Sequence, residues 1–284
     1  MAARLKVAVA QIACIPGDLQ ANLLNHLRMA EQARHAGVDL LVFPELSLTD
    51  YLPAPDCAAL ALGRDAPVFG QLARAGGSMA MSAGFIERGD DGRYYNAQAF
   101  LAHGRLQAVH RKLYLPGYGT LREDRVYAKG EQLRIQALGD NWQAATLICA
   151  DHWNPALPWL AALGGANLML VPAASARGAV GDGFDNPRGW EINLLHTALT
   201  YGLPTVFANH CGQRGDADFW GGSRILDACG RELARAGSGP DLIMADIFAA
   251  DGVAARRRLP TARDSDPVLV GQLLARYPGA RDTP

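Results

Sequence analysis

The sequence contains no CxxC or CxxH pair, and its five cysteines (Cys14, Cys57, Cys149, Cys211 and Cys229) are odd in number and widely spaced. That pattern speaks against a structural zinc site or a disulfide framework and suits a reducing cytoplasm. Net charge is nearly absent as well, with 27 Lys and Arg against 28 Asp and Glu. At the level of the whole chain this leaves no electrostatic case for nucleic acid or an anionic membrane. Long hydrophobic runs are missing too, since every apolar stretch falls short of the roughly 20 residues that cross a bilayer. The opening "MAARLKVAVAQIA" is interrupted by Lys6 and Gln11. It lacks the apolar core and cleavage site of a secretory signal and reads as a first strand. "GSGP" at 237–240 has neither the lysine nor the helix of a phosphate loop and reads as a turn. His196 and His210 have no partners at metal-ligand spacing, so no metal is expected.

The chain has 284 residues, 49% hydrophobic and 19% charged, an ordinary globular composition. Strand-like and helix-like segments alternate along it. Residues 5–13 are apolar and β-rich. Leu19, Leu23, Leu24, Leu27 and Ala30 then recur at helical spacing, and Gly37 marks a stop. "VDLLVFPEL" (38–46) is a second strand, and "DAPVFGQLARAGG" a helix with Pro67 near its start. Strands at 78–87 and 94–104 flank the turn "RGDDGR", and a further strand starts at 105. Residues 114–131 form a long loop rich in Gly, Tyr and charge, of a kind that is usually functional. Strands at 141–150, 166–174 and 204–212 alternate with helices at 155–165 and 188–202, and more strands follow. The pattern predicts a single α/β domain over 1–250. A polar, Arg-rich tail over 251–284 is expected to dock on the domain or at an oligomer contact.

Three strand-like segments end in a reactive side chain: "LLVFPEL" in Glu45, "LQAVHRKLYLP" in Lys112 and "ATLICAD" in Cys149. In open α/β sheets, ligands sit at the carboxyl ends of strands, so the three ends can converge. Taken singly, each has an ordinary explanation: a surface carboxylate, a solvated lysine, a core cysteine. Together they make a complete chemical set. A thiol attacks only as thiolate, and a neighbouring carboxylate can take its proton. A lysine can hold a developing oxyanion, and the backbone N–H of Ala150 offers a second donor. The set suits acyl transfer through a thioester.

"VFPELSLTDYLP", "HRKLYLP", "LICADHWNP" and "FWGGSRI", in this order, resemble the signature segments of the nitrilase superfamily, the carbon–nitrogen hydrolases. The resemblance runs over nearly the whole chain. It implies a four-layer α-β-β-α sandwich, cleavage of a non-peptide C–N bond with Glu45 as base and Cys149 as nucleophile beside Lys112, and no cofactor. It implies a small amide or carbamoyl substrate plus water, giving a carboxylic acid and ammonia or amine. Nitrile hydrolysis, or transfer of the acyl group or ammonia to a second substrate, remains the alternative, and a non-catalytic binding module of the same fold is a further one. A homodimer or larger homo-oligomer is expected. Glu123, in "LPGYGTLREDRVYAKG", resembles the second glutamate in the glutaminase domains of glutamine-dependent NAD synthetases and would position the substrate amide or the lysine. The sequence after Cys149 is Ala-Asp-His-Trp, whose acidic position matches the family while the whole departs from its most familiar forms. Asp151 is expected to fix backbone at the turn, His152 to be a neighbour of the thiol, Trp190 to pack its helix and Asn209 to support the site. Candidate pocket residues are Tyr51, Tyr118, Trp153, Ala174, Ser175 and, for an acidic substrate, Arg177.

Overall fold

The computed structural model describes residues 3–52, 54–139 and 141–276. Its first half runs β1 (Arg4–Gln11), α1 (Leu19–His35), β2 (Leu40–Val42), α2 (Cys57–Leu60), α3 (Pro67–Gly76), β3 (Ala80–Arg88), β4 (Tyr94–Ala102) and β5 (Arg105–Arg111). After the long loop come β6 (Ile135–Leu138), β7 (Trp142–Thr146), α4 (Ala150–Trp153), α5 (Ala156–Leu163), β8 (Leu168–Ala173), α6 (Asn186–Tyr201) and β9 (Thr205–Asn209). The chain closes with β10 (Cys211–Arg214), β11 (Ala217–Trp220), β12 (Arg224–Leu226), β13 (Glu232–Arg235), β14 (Asp241–Phe248), α7 (Ala249–Arg258) and α8 (Pro267–Arg276).

The strands form two six-stranded mixed sheets, ordered β14-β1-β2-β3-β4-β5 and β13-β12-β9-β8-β7-β6, with β10-β11 as a separate hairpin. Period-two alternation decides the layers. In β1, Val7 and Val9 face the second sheet while Ala8 and Ala10 face α1 and α3. In the second sheet Leu168, Leu170, Val206 and Ala208 meet the first sheet, and Met169, Val171 and Phe207 face α5 and α6. Strands buried on both faces read as continuous apolar runs, as "LLV" and "LMLV" do. Each such Val or Leu contributes about 1.5–3 kcal/mol on burial. Helix–sheet–sheet–helix layering follows, the four-layer sandwich that the resemblance implies.

Helix ends follow local rules. Asp18 caps α1 by accepting from Ala21 N at 3.0 Å, and Asp185 caps α6 by accepting from Arg188 N at 3.1 Å. The hairpin turn at 88–93 closes with Gly89 N donating to Arg93 O at 2.9 Å.

Several elements differ from the sequence expectation. β2 is three residues long, and Glu45 lies beyond it in a tight turn rather than at the strand end. β7 stops at Thr146, three residues before Cys149. Residues 211–220 fold back as a hairpin, because Gly215 at φ 54° permits the reversal. The stretch expected to begin the tail starts inside α7, which buries Gly252 and Ala255 and bonds Arg256 Nη1 to Gly202 O at 2.9 Å. Alanines and small residues on one face let this Arg-rich segment dock as a helix. α8 follows with no buried residue, and 277–284 lie outside the described residues.

Candidate active site

The turn after β2 is pressed onto β3. A Cβ at Gly84 would stand 2.1 Å from Leu46 N, so only glycine allows this approach. Four non-glycine residues have positive φ among those described, and three of them are Leu46, Asp50 and Cys149. Leu46 and Asp50 flank the turn that presents Glu45, and Cys149 itself sits at φ 46°. Left-handed backbone costs such residues about 1–2 kcal/mol, and strain of this kind gathers at functional sites.

Glu45 is fully buried. Its Oε1 accepts from Lys112 Nζ at 2.6 Å and Asn96 Nδ2 at 2.7 Å, and its Oε2 accepts from Ala174 N at 2.8 Å. Lys112, also fully buried, is the first residue after β5 and donates in addition to Glu123 Oε1 at 2.7 Å. Glu123 opens a 3-10 turn inside the long loop and accepts from Tyr51 Oη at 2.8 Å and from Asn96 Nδ2 at 3.2 Å. Cys149 caps α4, and its N–H reaches Pro172 O at 2.9 Å on the neighbouring strand. Ala150, next in the chain, starts α4, where backbone N–H groups have no acceptor within the helix.

Burial and the two carboxylates set the protonation states. Burial works against the charge of Lys112, but Glu123 and Glu45 outweigh it and hold the ammonium well above its ordinary range. Burial pushes the Cys149 thiol well up and the Glu45 charge pushes it further, while Lys112 and the Ala174 N–H pull it back. The resting sulfur is therefore a thiol that needs a base. Burial raises Glu123 to about 7 against the pull of Lys112, with the Glu45 charge adding to the rise. Two carboxylates around one lysine in a dry site favour one retained proton.

The hollow over the sulfur is small, about 30 Å³, and Tyr51, Tyr118, Trp153, Ala174 and Ser175 are in its wall together with Trp190. Tyr118 is 51% exposed, at the entrance. Trp153 packs edge-on against Trp190 at 5.2 Å. The Ser175 oxygen accepts from the protein: Asn186 Nδ2 and Trp190 Nε1 both donate to it at 2.9 Å, and Trp220 Nε1 at 3.3 Å. Asn209 clamps the same residue, accepting from Ser175 N at 2.8 Å and donating to Ser175 O at 3.2 Å. Asp151 staples two segments. Its Oδ1 accepts from Leu113 N at 2.9 Å and Tyr114 N at 2.8 Å, and its Oδ2 accepts from Ile148 N at 3.1 Å. The residues after Lys112 and those before Cys149 are thereby tied together. His152 turns away from this chemistry: it lies against Trp190, both ring nitrogens lack a partner among the described residues, and burial lowers it to about 3.

Arg177 stands apart from the other pocket candidates. It is exposed, pairs with Asp218 Oδ2 at 3.0 Å, and is not in the pocket wall. The β10-β11 hairpin holds Asp218 and draws the guanidinium outward. Sequence reasoning missed Asn96, whose amide bridges both glutamates, and gave Trp190 a packing role only. Asn96 lies in a strand with no signal other than a polar residue on a buried run.

A second cluster lies behind Glu45. Donor atoms of Cys14, Asp50 and His210 fall within 4.8 Å of one another, a set that resembles metal ligands. Arg214 Nε, however, lies 2.6 Å from Asp50 Oδ2, and Nη2 lies 3.4 Å from His210 Nδ1. A guanidinium in that place repels a cation, so the donor set does not fit a metal.

The sequence profile of the carbon–nitrogen hydrolases matches residues 6–257. The chain is 33% identical over 235 residues to a glutamine-dependent NAD(+) synthetase of Thermotoga maritima, covering 81% of this chain but 39% of the synthetase. It thus spans well under half of that relative. It is also 32% identical to a hydrolase of Pseudomonas protegens, over 86% of this chain and 82% of that one. Among solved structures, a cysteine-to-alanine mutant of the Nesterenkonia AN1 amidase, from the nitrilase superfamily, superposes with a TM-score of 0.79 at 27% identity, covering 95% of this chain and 97% of the other. The chain belongs to the carbon–nitrogen hydrolase family of the nitrilase superfamily and is an enzyme acting on C–N bonds.

Proposed function

We propose that this enzyme hydrolyses a small amide or carbamoyl compound through a thioester on Cys149. The observation that carries the reading is the hydrogen-bonded set of Glu45, Lys112 and Glu123, whose charges act on a thiol held at φ 46°. Glu45 takes the thiol proton, and the sulfur attacks the amide carbon. The oxyanion is met by Lys112 Nζ and the Ala150 N–H. Glu45 returns the proton to the departing nitrogen, releasing ammonia or amine and leaving an acyl-thioester. Glu45 then deprotonates a water, which expels the sulfur and yields the carboxylic acid. Glu123 holds the lysine from the far side and orients the amide nitrogen. Structures of glutamate mutants of the Nesterenkonia amidase, with acrylamide joined by Michael addition or the acetamide moiety of fluoroacetamide joined to the active-site cysteine, support the cysteine as the nucleophile.

The synthetase relative favours one second reading, in which ammonia or the acyl group passes to another substrate. A cytoplasmic homodimer of single-domain chains is part of the same reading, and sedimentation of the purified protein tests its assembly.

Mass spectrometry after incubation with a panel of amides, carbamoyl compounds and nitriles tests the chemistry. An acyl adduct on Cys149, with turnover lost in Cys149→Ala, is expected. Turnover that survives Cys149→Ala would sink the mechanism.

A further inference from the structure

His210 occupies the single residue between β9 and β10 and is fully buried. Its Nε2 lies 2.6 Å from the main-chain oxygen of Glu45. A carbonyl oxygen only accepts, so Nε2 carries the proton and donates. The other nitrogen, Nδ1, faces Asp50 Oδ1 at 3.3 Å and Arg214 Nη2 at 3.4 Å. Asp50 Oδ2 lies 2.6 Å from Arg214 Nε as an ion pair, although neither Asp50 oxygen makes a well-aligned hydrogen bond among the described residues. Arg214 is anchored to backbone, donating from Nη1 to Cys211 O at 3.0 Å and to Gly212 O at 3.3 Å. Cys14 completes the cluster and donates its S–H to Ser47 O at 3.2 Å, in the same turn as Glu45. None of these four side chains contributes to the hydrogen-bonded set around Lys112.

The network is costly. Asp50 and His210 are both buried, and the attraction within a buried ion pair often fails to repay desolvation. Asp50 also sits at φ 66°, a conformation that most side chains avoid. A buried polar cluster on strained backbone calls for a role other than bulk stability. The geometry gives that role, because the network ends on the carbonyl of Glu45. The next residue, Leu46, is itself at φ 49°. If that peptide plane rotates, the Glu45 side chain leaves the line between the Ala174 N–H and Lys112 Nζ.

We propose that His210 is a positioning residue for the catalytic base: its Nε2–H fixes the Glu45 main chain, and Asp50 with Arg214 fixes the imidazole. The proposal rests on the reading that Glu45 is the base. Burial works against the charged imidazole and the neighbouring Asp50 carboxylate favours it, and in either form Nε2 is the nitrogen that donates to Glu45 O. The β10-β11 hairpin thereby has a function at the site through Arg214, although it belongs to neither sheet.

The test compares His210→Gln, whose side-chain amide keeps an N–H donor near the place of Nε2, with His210→Leu, which has none. Turnover is followed on whichever amide the panel identifies, together with iodoacetamide labelling of Cys149 from neutral to alkaline pH. A misplaced base by about 1 Å costs on the order of 100-fold in rate. The Leu variant should therefore lose on the order of 10–100-fold in kcat with little change in KM, and its labelling profile should move to lower pH, because the Glu45 charge that raises the thiol is displaced. The Gln variant should recover most of the loss and keep the wild-type profile. Asp50→Asn, nearly isosteric, should give a smaller shift in the same direction and carries the test if the Leu variant does not fold. Equal kcat and superimposed labelling profiles for folded Leu and Gln variants, or an unmoved profile in Asp50→Asn, would overturn the proposal. Failure of the parent reading is seen separately, as activity that persists in Glu45→Gln.

Discussion

Lys112 has no exposed surface and touches two carboxylates, which makes it the residue whose loss is felt most widely. Breaking a buried charge pair by removing one partner costs about 3–5 kcal/mol, because the survivors stay buried without compensation. Lys112→Gln should therefore lose stability on that scale and, in the proposed mechanism, turnover by at least about 100-fold through loss of the cation beside the oxyanion. Urea denaturation and steady-state rates check both, and a variant that is stable yet inactive would leave only the catalytic part standing. Glu123 behaves in the opposite sense. Its carboxyl is raised to about 7, so the folded chain holds a proton there that the unfolded chain releases at lower pH. Its contribution thus falls as pH rises from the ordinary carboxylate range toward 7. Glu123→Gln should gain stability relative to wild type at pH above about 7 and little near pH 5, read from melting temperatures. At this scale the sequence named the side chains that the structure brings together, because thiol, ammonium and carboxylate are chemically distinctive. It could not reveal that three donors converge on the Ser175 oxygen, since those come from residues 186, 190 and 220.

Between elements, the decisive contact is the approach of the Glu45 turn to β3. A methyl at Gly84 would meet backbone on the turn, which has no flexible end to yield. Gly84→Ala should cost about 1–3 kcal/mol as an overpacked site. It should also lower kcat more than KM rises, because the turn it displaces carries Glu45. A Gly84→Ala enzyme with wild-type kcat would show that the turn moves without moving the carboxylate. Asp151 acts at the same level, holding the residue pair after Lys112 against the strand before Cys149. Most strands and helices were legible from periodicity. The exceptions have local causes: β2 and β7 end early because the chain must leave the sheet to form strained turns, and α7 was hidden by its three consecutive arginines, of which Arg257 and Arg258 project outward while Gly252 and Ala255 pack inward.

For the whole molecule, three buried histidines shape stability against pH. Burial lowers His26 to about 4 and His152 to about 3. Both bind fewer protons folded than unfolded between those values and 6.5, so their contribution is complete above 6.5 and is lost as pH falls toward 4 and 3. His210 is raised to about 10, so its contribution is complete below 6.5 and fades as pH climbs toward 10. The protein should be most stable near neutrality, with each limb worth on the order of a few kcal/mol. Urea midpoints across pH should show a flatter acid limb for His152→Leu and a flatter alkaline limb for His210→Gln; curves parallel to wild type would refute the assignment. His26 shows why its neutral form suits the fold. Its Nδ1 donates to Asn22 O at 2.7 Å, leaving Nε2 to accept from the Ser47 hydroxyl at 2.9 Å.

By itself the sequence determined the class of fold and supplied the residues of the proposed reacting set. Alternation in the strands and helical spacing in the helices are local properties, and Glu45, Lys112 and Cys149 each follow an apolar run that can be read in isolation. Tertiary structure alone decided what surrounds them. Asn96 between the two glutamates, Arg177 drawn away to Asp218, and His210 brought from 165 residues away to the Glu45 carbonyl all depend on how two sheets and a hairpin meet. Hydrogen bonds are short-ranged and directional, so partners so far apart in the chain acquire meaning only when packing sets their separation.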